Sequence, residues 1–218
     1  MKEPFQIVFD DDYLIVVNKI AKVLIQASKK DAKQTLTSLL RRQRGYKVFP
    51  CHRLDRETTG LVIYAKSPEV QGKIADQFRR REVKKKYIAF VKGNLKKRSG
   101  VWEGEIIDRE GKIFAEKSKR AKTFYRVLKD FSGWSVLELS PKTGRTNQLR
   151  IQLAKINHPI LGEDKYAFRR DFKIKFKRLG LHAFYLDFTH PVSRQKVTLE
   201  IGLALDMSEF LNFSKRVV

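Results

Sequence analysis

The run His52-Arg53-Leu54-Asp55-Arg56-Glu57-Thr58-Thr59-Gly60-Leu61 sets one carboxylate between two arginines, then turns through glycine into the apolar stretch Leu61–Ala65. Flanking guanidiniums keep a carboxylate ionised at neutral pH and can fix its orientation. An oriented, ionised aspartate on a loop entering a buried strand suits covalent or electrostatic catalysis at a sugar carbon. Alone, an R-x-D-R is far more often a surface ion pair in a turn, so the rest of the chain must decide. Cys51, the only cysteine, lies beside His52. Adjacent residues on an extended segment point to opposite faces, so Cys51 reads as a small buried residue, not a nucleophile with its base. A lone cysteine also excludes an intrachain disulfide and a thiolate zinc site, as suits a reducing compartment. The histidines, at 52, 158, 182 and 190, lack local metal-ligand spacing, and no metal is expected.

The elements that must position these residues are legible from periodicity. Phe5–Phe9 and Leu14–Asn18 read as strands joined by the Asp10-Asp11-Asp12 turn. Thr35–Arg44 reads as a short helix with Leu36, Leu39 and Leu40 on one face. Leu61–Ala65 is a buried strand. Ser67-Pro68-Glu69 starts a helix in which Val70, Ile74 and Phe78 recur at four-residue spacing. Arg79-Arg80-Arg81 and Lys84-Lys85-Lys86 then lead to the strand Tyr87–Val91, and such a cation run can track phosphates. Trp102–Ile107, Ala121–Leu128 and Trp134–Leu139 follow as strands, with a basic segment (Lys117, Lys119, Arg120, Lys122) between the first two. Asn147–Ile156 reads as a helix, and Leu181–Phe188 with Lys196–Ile201 as a closing hairpin. Runs of strands with few helices predict an α+β fold with a mixed, mainly antiparallel central sheet flanked by helices.

The 218 residues are enough for one cored domain spanning 1–218, with a cleft. The formal charge of +23, from 47 Lys+Arg against 24 Asp+Glu, far exceeds what solubility needs and calls for a polyanion. No stretch is apolar enough to span a bilayer, and there is neither a signal peptide nor a long basic amphipathic helix. Nucleic acid is therefore favoured over a membrane, and a cytoplasmic location is expected. No G-x-G-x-x-G and no phosphate loop is present, so no cofactor is expected.

The first run resembles the HRLDxxTSGL motif of the RluA family of RNA pseudouridine synthases, with Thr59 where serine is usual. Lys85-Lys86-Tyr87-Ile88-Ala89 resembles that family's K-x-Y motif. Thr143-Gly144-Arg145-Thr146-Asn147-Gln148-Leu149-Arg150, then His158-Pro159-Ile160-Leu161-Gly162-Glu163-Asp164-Lys165-Tyr166, resembles its TGRTHQIR…GHPIxGDxxYG block. Asp11–Lys19 and Leu181-His182-Ala183…His190-Pro191 resemble its opening strand pair and closing signature, so the likeness covers nearly the whole chain. Many relatives carry a small RNA-binding domain ahead of the core. This chain reads as a short form without one, and RNA recognition is expected from the core and its basic loops.

The resemblance implies isomerisation of uridine to pseudouridine in structured RNA, ribosomal or transfer, with no obligate protein partner and a monomer. It makes Asp55 the essential acid, Arg145 the cation paired with it, and Tyr87 the aromatic against an everted base. Asp55 could add to the anomeric carbon, add to the base, or remove a ribose proton, and its pKa is expected to be lowered. Expected substrate contacts are Arg53, Leu54, Arg56 and Lys86 on the first two motifs, and Asn147, Leu149 and Arg150 on the third. Arg53 would enter the vacated base stack or touch a phosphate; Leu54 and Leu149 would wall the pocket or simply belong to the core. Asn147 and Gln152 replace frequent histidines, and Asn18-Lys19-Ile20-Ala21-Lys22 lacks the proline and glycine of the usual NKPAG. The competing reading is a non-catalytic basic RNA-binding or ribosome-assembly factor on the same fold. A glycoside hydrolase would need paired carboxylates, and Glu57 is poorly placed to serve beside Asp55.

Overall fold

The computed structural model describes residues 3–27, 34–107, 118–167 and 172–216; Lys117 of the expected basic segment lies outside them. Among the described residues the order is β1 (Phe5–Asp10), β2 (Leu14–Lys19), α1 (Leu36–Arg44), β3 (Phe49–Pro50), β4 (Thr59–Ala65), α2 (Pro68–Arg80) and β5 (Lys84–Lys92). There follow β6 (Ser99–Ile106), β7 (Lys119–Phe131), β8 (Trp134–Pro141), α3 (Gln148–Lys155), β9 (Leu181–Thr189), β10 (Lys196–Glu200) and α4 (Leu205–Arg216). Mostly antiparallel strands with four helices realise the α+β class expected from the sequence. The chain packs as two compact units. One runs to Lys84 and adds Ala183–Ala204; the other comprises Lys85–His182 and the segment from Leu205 onward.

In the first unit the strand order is β1-β2-β4-β9, with β3 on β4 and β10 on β9. β4 is buried along its whole length, which is why it reads as an unbroken apolar run rather than an alternating one. The β1–β2 turn is closed by Asp11, whose Oδ1 accepts from the N–H groups of Tyr13 and Leu14, each at 2.8 Å. Leu14, Val16, Leu61 and Ile63 make a core with Val70 and Ile74 from α2. α2 starts on Ser67, whose Oγ accepts from the Val70 N–H at 3.3 Å, and α1 on a reciprocal capping box between Thr35 and Ser38. Gly60, first in β4 after the threonines, has φ +118°, and a Cβ there would run into the Ala183 carbonyl. Only glycine suits that position.

In the second unit the order is β5-β8-β7-β6, each neighbouring pair antiparallel. Ala89, Val91, Leu137 and Leu139 meet Leu149 and Leu153 of α3 in its core. Another apolar cluster gathers Phe90, Trp134, Phe176 and Phe210, the last from α4, a helix for which the sequence reading had no expectation.

Candidate functional site

Asp55 is half-buried on the loop between β3 and β4, and that loop is anchored at several points. His52 Nε2 accepts the Ile63 N–H at 3.0 Å, and its ring packs on Phe78 with centroids 4.7 Å apart. Its lone pair is thus in use. Burial pushes the neighbouring Cys51 thiol up to about 12, so the pair has no nucleophilic chemistry at neutral pH. Leu54 is buried and plugs the loop into the fold. The Thr58 N–H donates to the Asp55 carbonyl at 3.1 Å and closes the turn.

Lys19 is the least expected anchor. Only 1% exposed, its ammonium donates to the carbonyls of Ile20 (2.9 Å), Val23 (3.0 Å) and Arg56 (3.0 Å). It ties the loop after β2 to the residue next to Asp55. The Lys22 N–H reinforces the tie by donating to the same Arg56 carbonyl at 2.8 Å. Lys22 itself is left-handed, with φ 66°, at the position where the resembled motif has glycine. A side chain there costs about 1 kcal/mol, and here it adds an exposed cation beside the exposed Arg56.

In the second unit Tyr87 is half-buried on β5, opposite Leu139 and against the core. Lys85 shares its face of the strand, two residues earlier. Burial holds the Lys85 ammonium below the usual lysine pKa. A Cβ on Gly144 would lie 3.2 Å from Lys85 Nζ, so the glycine of the T-G-R run leaves room for that amine. The K-x-Y and T-G-R motifs therefore meet within this unit. Lys86, on the other face, pairs with Glu138 at 3.6 Å.

Gln148 organises the T-G-R turn. Its side-chain oxygen accepts from Thr143 Oγ1 (2.6 Å) and from the Arg145 N–H (3.1 Å), while its amide nitrogen donates to Thr123 Oγ1 (2.9 Å). Arg145 is exposed, its Nε donating to the Arg120 carbonyl at 3.3 Å. Asn147 stands at the N-cap position of α3 without a side-chain capping bond, in the left-handed region at φ 51°, a conformation that asparagine tolerates better than most residues. Gln152, at the other replaced histidine, accepts from Thr123 Oγ1 at 2.7 Å, bracing α3 against β7.

Arg150, expected as a substrate contact, is buried. It is 4% exposed, with Nε donating to Glu163 Oε2 at 2.8 Å and Nη2 to Oε1 at 2.5 Å. Glu163 Oε1 also accepts from the N–H groups of Asp164, Lys165 and Tyr166. Burial alone would raise the Glu163 pKa; Arg150 and the backbone donors outweigh it and hold the carboxyl below its usual range. A guanidinium so committed braces the segment after α3. Leu149 is likewise core. Of the expected contacts, Arg53 and Arg56 are exposed, Lys86 is half-buried, and Leu54, Asn147, Leu149 and Arg150 are buried. The six-cation run is also divided: Arg79, though exposed, pairs with Asp76 at 2.7 Å, Lys85 is half-buried, Lys86 pairs with Glu138, and Arg80, Arg81 and Lys84 are exposed.

Lys19, Lys85, Gln148 and Glu163 stand inside the quoted motif blocks but were given no role from the sequence; strand alternation places Lys85 on the face of Tyr87, while the partners of the other three lie at a distance no local pattern shows. Among the described residues no group of three or more His, Cys, Asp or Glu is placed to hold a metal ion. No helix there is long and apolar enough to cross a membrane.

A family profile described as RNA pseudouridylate synthase matches residues 13–155. The chain is 36% identical to ribosomal large subunit pseudouridine synthase D of Nitrosomonas europaea, over 95% of its own length and 64% of that relative's. It is 35% identical to tRNA pseudouridine synthase C of Haemophilus ducreyi, over 88% of each chain. Among solved structures it is similar to human RNA pseudouridylate synthase domain containing 4, at TM-score 0.80 and 26% identity, covering 96% of this chain and 92% of that one. With both motif-bearing loops inside the matched span, the chain belongs to the RNA pseudouridylate synthase family.

Proposed function

We propose that this protein isomerises specific uridines to pseudouridine in structured RNA, ribosomal or transfer, with residues 1–218 as a single catalytic domain. The observation that carries this reading is Asp55 on its anchored loop, in a chain whose family match spans that loop and the K-x-Y and T-G-R motifs. The reaction breaks the bond from base nitrogen-1 to the anomeric carbon, turns the base over and joins its carbon-5 to the sugar. Carbon-5 loses a proton and nitrogen-1 gains one, so no atom is gained or lost and no redox partner is needed.

In this reading Asp55, ionised with Arg145 as its cation, attacks the anomeric carbon or the base, or removes a ribose proton. Tyr87 lies against the base and relays the carbon-5 proton. The target must leave its stack, at a cost of a few kcal/mol, and Arg53 fills the space or holds the adjoining phosphate. Arg56 and Lys22 add phosphate contacts. Leu54, Asn147 and Leu149 shape the walls, while Arg150 supports them through Glu163. The protein works as a monomer in the cytoplasm.

Chemical mapping of pseudouridine in total cellular RNA, with and without the protein, tests the proposal. Discrete uridines should carry the modification only where the protein is present. An unchanged map would refute it and favour a non-catalytic RNA-binding factor.

A further inference from the structure

Phe172-Lys173-Ile174-Lys175-Phe176-Lys177-Arg178 alternates apolar and cationic residues, yet it forms neither a strand nor a helix. The alternation is nonetheless realised in burial. Phe172 is buried, Ile174 and Phe176 are half-buried, and Lys173, Lys175 and Lys177 are all exposed. The inward residues are pinned. Ile174 reaches the β7–β8 turn, its Cδ1 3.6 Å from where a Cβ on Gly133 would be. Phe176 meets Phe90 and Phe210 edge-on at 5.9 and 5.1 Å. Arg178 clamps both oxygens of Asp206 at 2.6 and 2.7 Å and donates to the Leu179 carbonyl at 2.7 Å. A segment fastened at alternate residues holds the bases of its three lysines in place before any ligand arrives.

Among the described residues none of the three lysines has an ion-pair partner. Between Asp171 and Asp187 the sequence has no acidic residue. Three cations on anchored bases repel one another and gain most from a ligand with serial negative charges. Two residues of chain span at most about 7 Å, so one extended polyanion can reach all three, and the flexible lysine stems adapt to its path.

We propose that Lys173, Lys175 and Lys177 form a phosphate comb that grips the backbone of the substrate RNA beyond the reacting uridine. The proposal rests on the family reading for the identity of the polyanion. Phosphate contacts position a nucleic acid without reading its sequence, so the comb governs affinity and leaves the chemical step alone.

The test compares wild type, a triple variant with Lys173→Gln, Lys175→Gln and Lys177→Gln, and the corresponding triple arginine variant. Affinity for transfer RNA is measured across salt concentrations, and single-turnover conversion is followed at saturating enzyme on a mapped substrate. Losing three phosphate contacts should flatten the plot of log K against log salt by about 2 to 3 and weaken binding roughly 50- to 150-fold at 0.15 M salt. Saturated single-turnover conversion should be unchanged, and the arginine variant should retain the wild-type slope. A glutamine variant with the wild-type slope overturns the comb, whether these lysines face solvent or an acidic protein. So does a loss of saturated rate without a change in slope. If wild type converts no uridine in any RNA while the slope still falls, the comb stands and the enzymatic reading fails.

Discussion

The buried pair Arg150–Glu163 yields the sharpest prediction, because it decides whether the cation just after the T-G-R turn is scaffold or RNA contact. Arg150→Met removes the guanidinium and leaves a carboxylate that is fully buried and retains only its backbone donors. Breaking one side of such a pair costs about 3–5 kcal/mol. Glu163→Gln should cost less, about 2–3 kcal/mol, because its amide oxygen still accepts the backbone N–H groups while the arginine loses its counter-charge. The double variant buries no uncompensated charge. It should therefore fall short of the summed single losses by about 2 kcal/mol or more. Urea denaturation of the four proteins provides the cycle. Because the Glu163 pKa is depressed in the fold, its stabilisation is fully present above the unfolded glutamate value of about 4.3 and is lost as pH falls through the folded value. The gap between wild type and Arg150→Met should accordingly narrow on acidification below that range. Additive single losses, or a variant of unchanged stability but flattened salt dependence of RNA binding, would refute the reasoning and return Arg150 to the RNA.

Three further outcomes follow from the local geometry. Gly60→Ala sets a Cβ against the Ala183 carbonyl at φ +118° and should cost more than about 2 kcal/mol, visible as a lowered thermal midpoint or lost soluble yield; a wild-type midpoint would contradict the clash. Lys22→Gly relieves a left-handed lysine and should stabilise by up to about 1 kcal/mol while weakening RNA binding modestly; a clear destabilisation would mean the lysine side chain packs. Native Cys51, whose thiol burial pushes up to about 12, should resist alkylation at pH 8 and react only after denaturation. The sequence led one to expect a buried Cys51; it is half-buried, and rapid labelling of the folded protein would contradict the raised thiol pKa.

Helices α1 and α2 were legible almost to the residue because their signals are local: the spacing of Leu36, Leu39 and Leu40, the cap at Ser67, and the spacing of Val70, Ile74 and Phe78. α4 was not, because what stabilises it is distant. Phe210 finds Trp134, Phe90 and Phe176 far back in the chain, and no short-range pattern announces that meeting. At the site, Asp55, Tyr87 and Arg145 stood out through motif resemblance, whereas the assignment of cations to surface or interior did not. In α3 every residue from Gln148 to Leu153 is buried, so periodicity offers no polar stripe to separate an outward arginine from an inward one. The partner that draws Arg150 inward, Glu163, lies beyond the helix. Lys85 and Lys86 differ only in strand face: Lys86 pairs with Glu138 while Lys85 shares the side of Tyr87.

The central claim is that a single carboxylate performs the isomerisation, and Asp55→Asn tests it most directly. The substitution keeps the size of the side chain and removes its charge. Pseudouridine formation in the mapped RNA is followed for wild type and variant under single-turnover conditions, alongside RNA affinity at fixed salt. Conversion should vanish in the variant, with the dissociation constant within about threefold of wild type, since phosphate contacts supply most of the affinity. Continued conversion by the asparagine protein would remove Asp55 from the chemistry and contradict the account at its root.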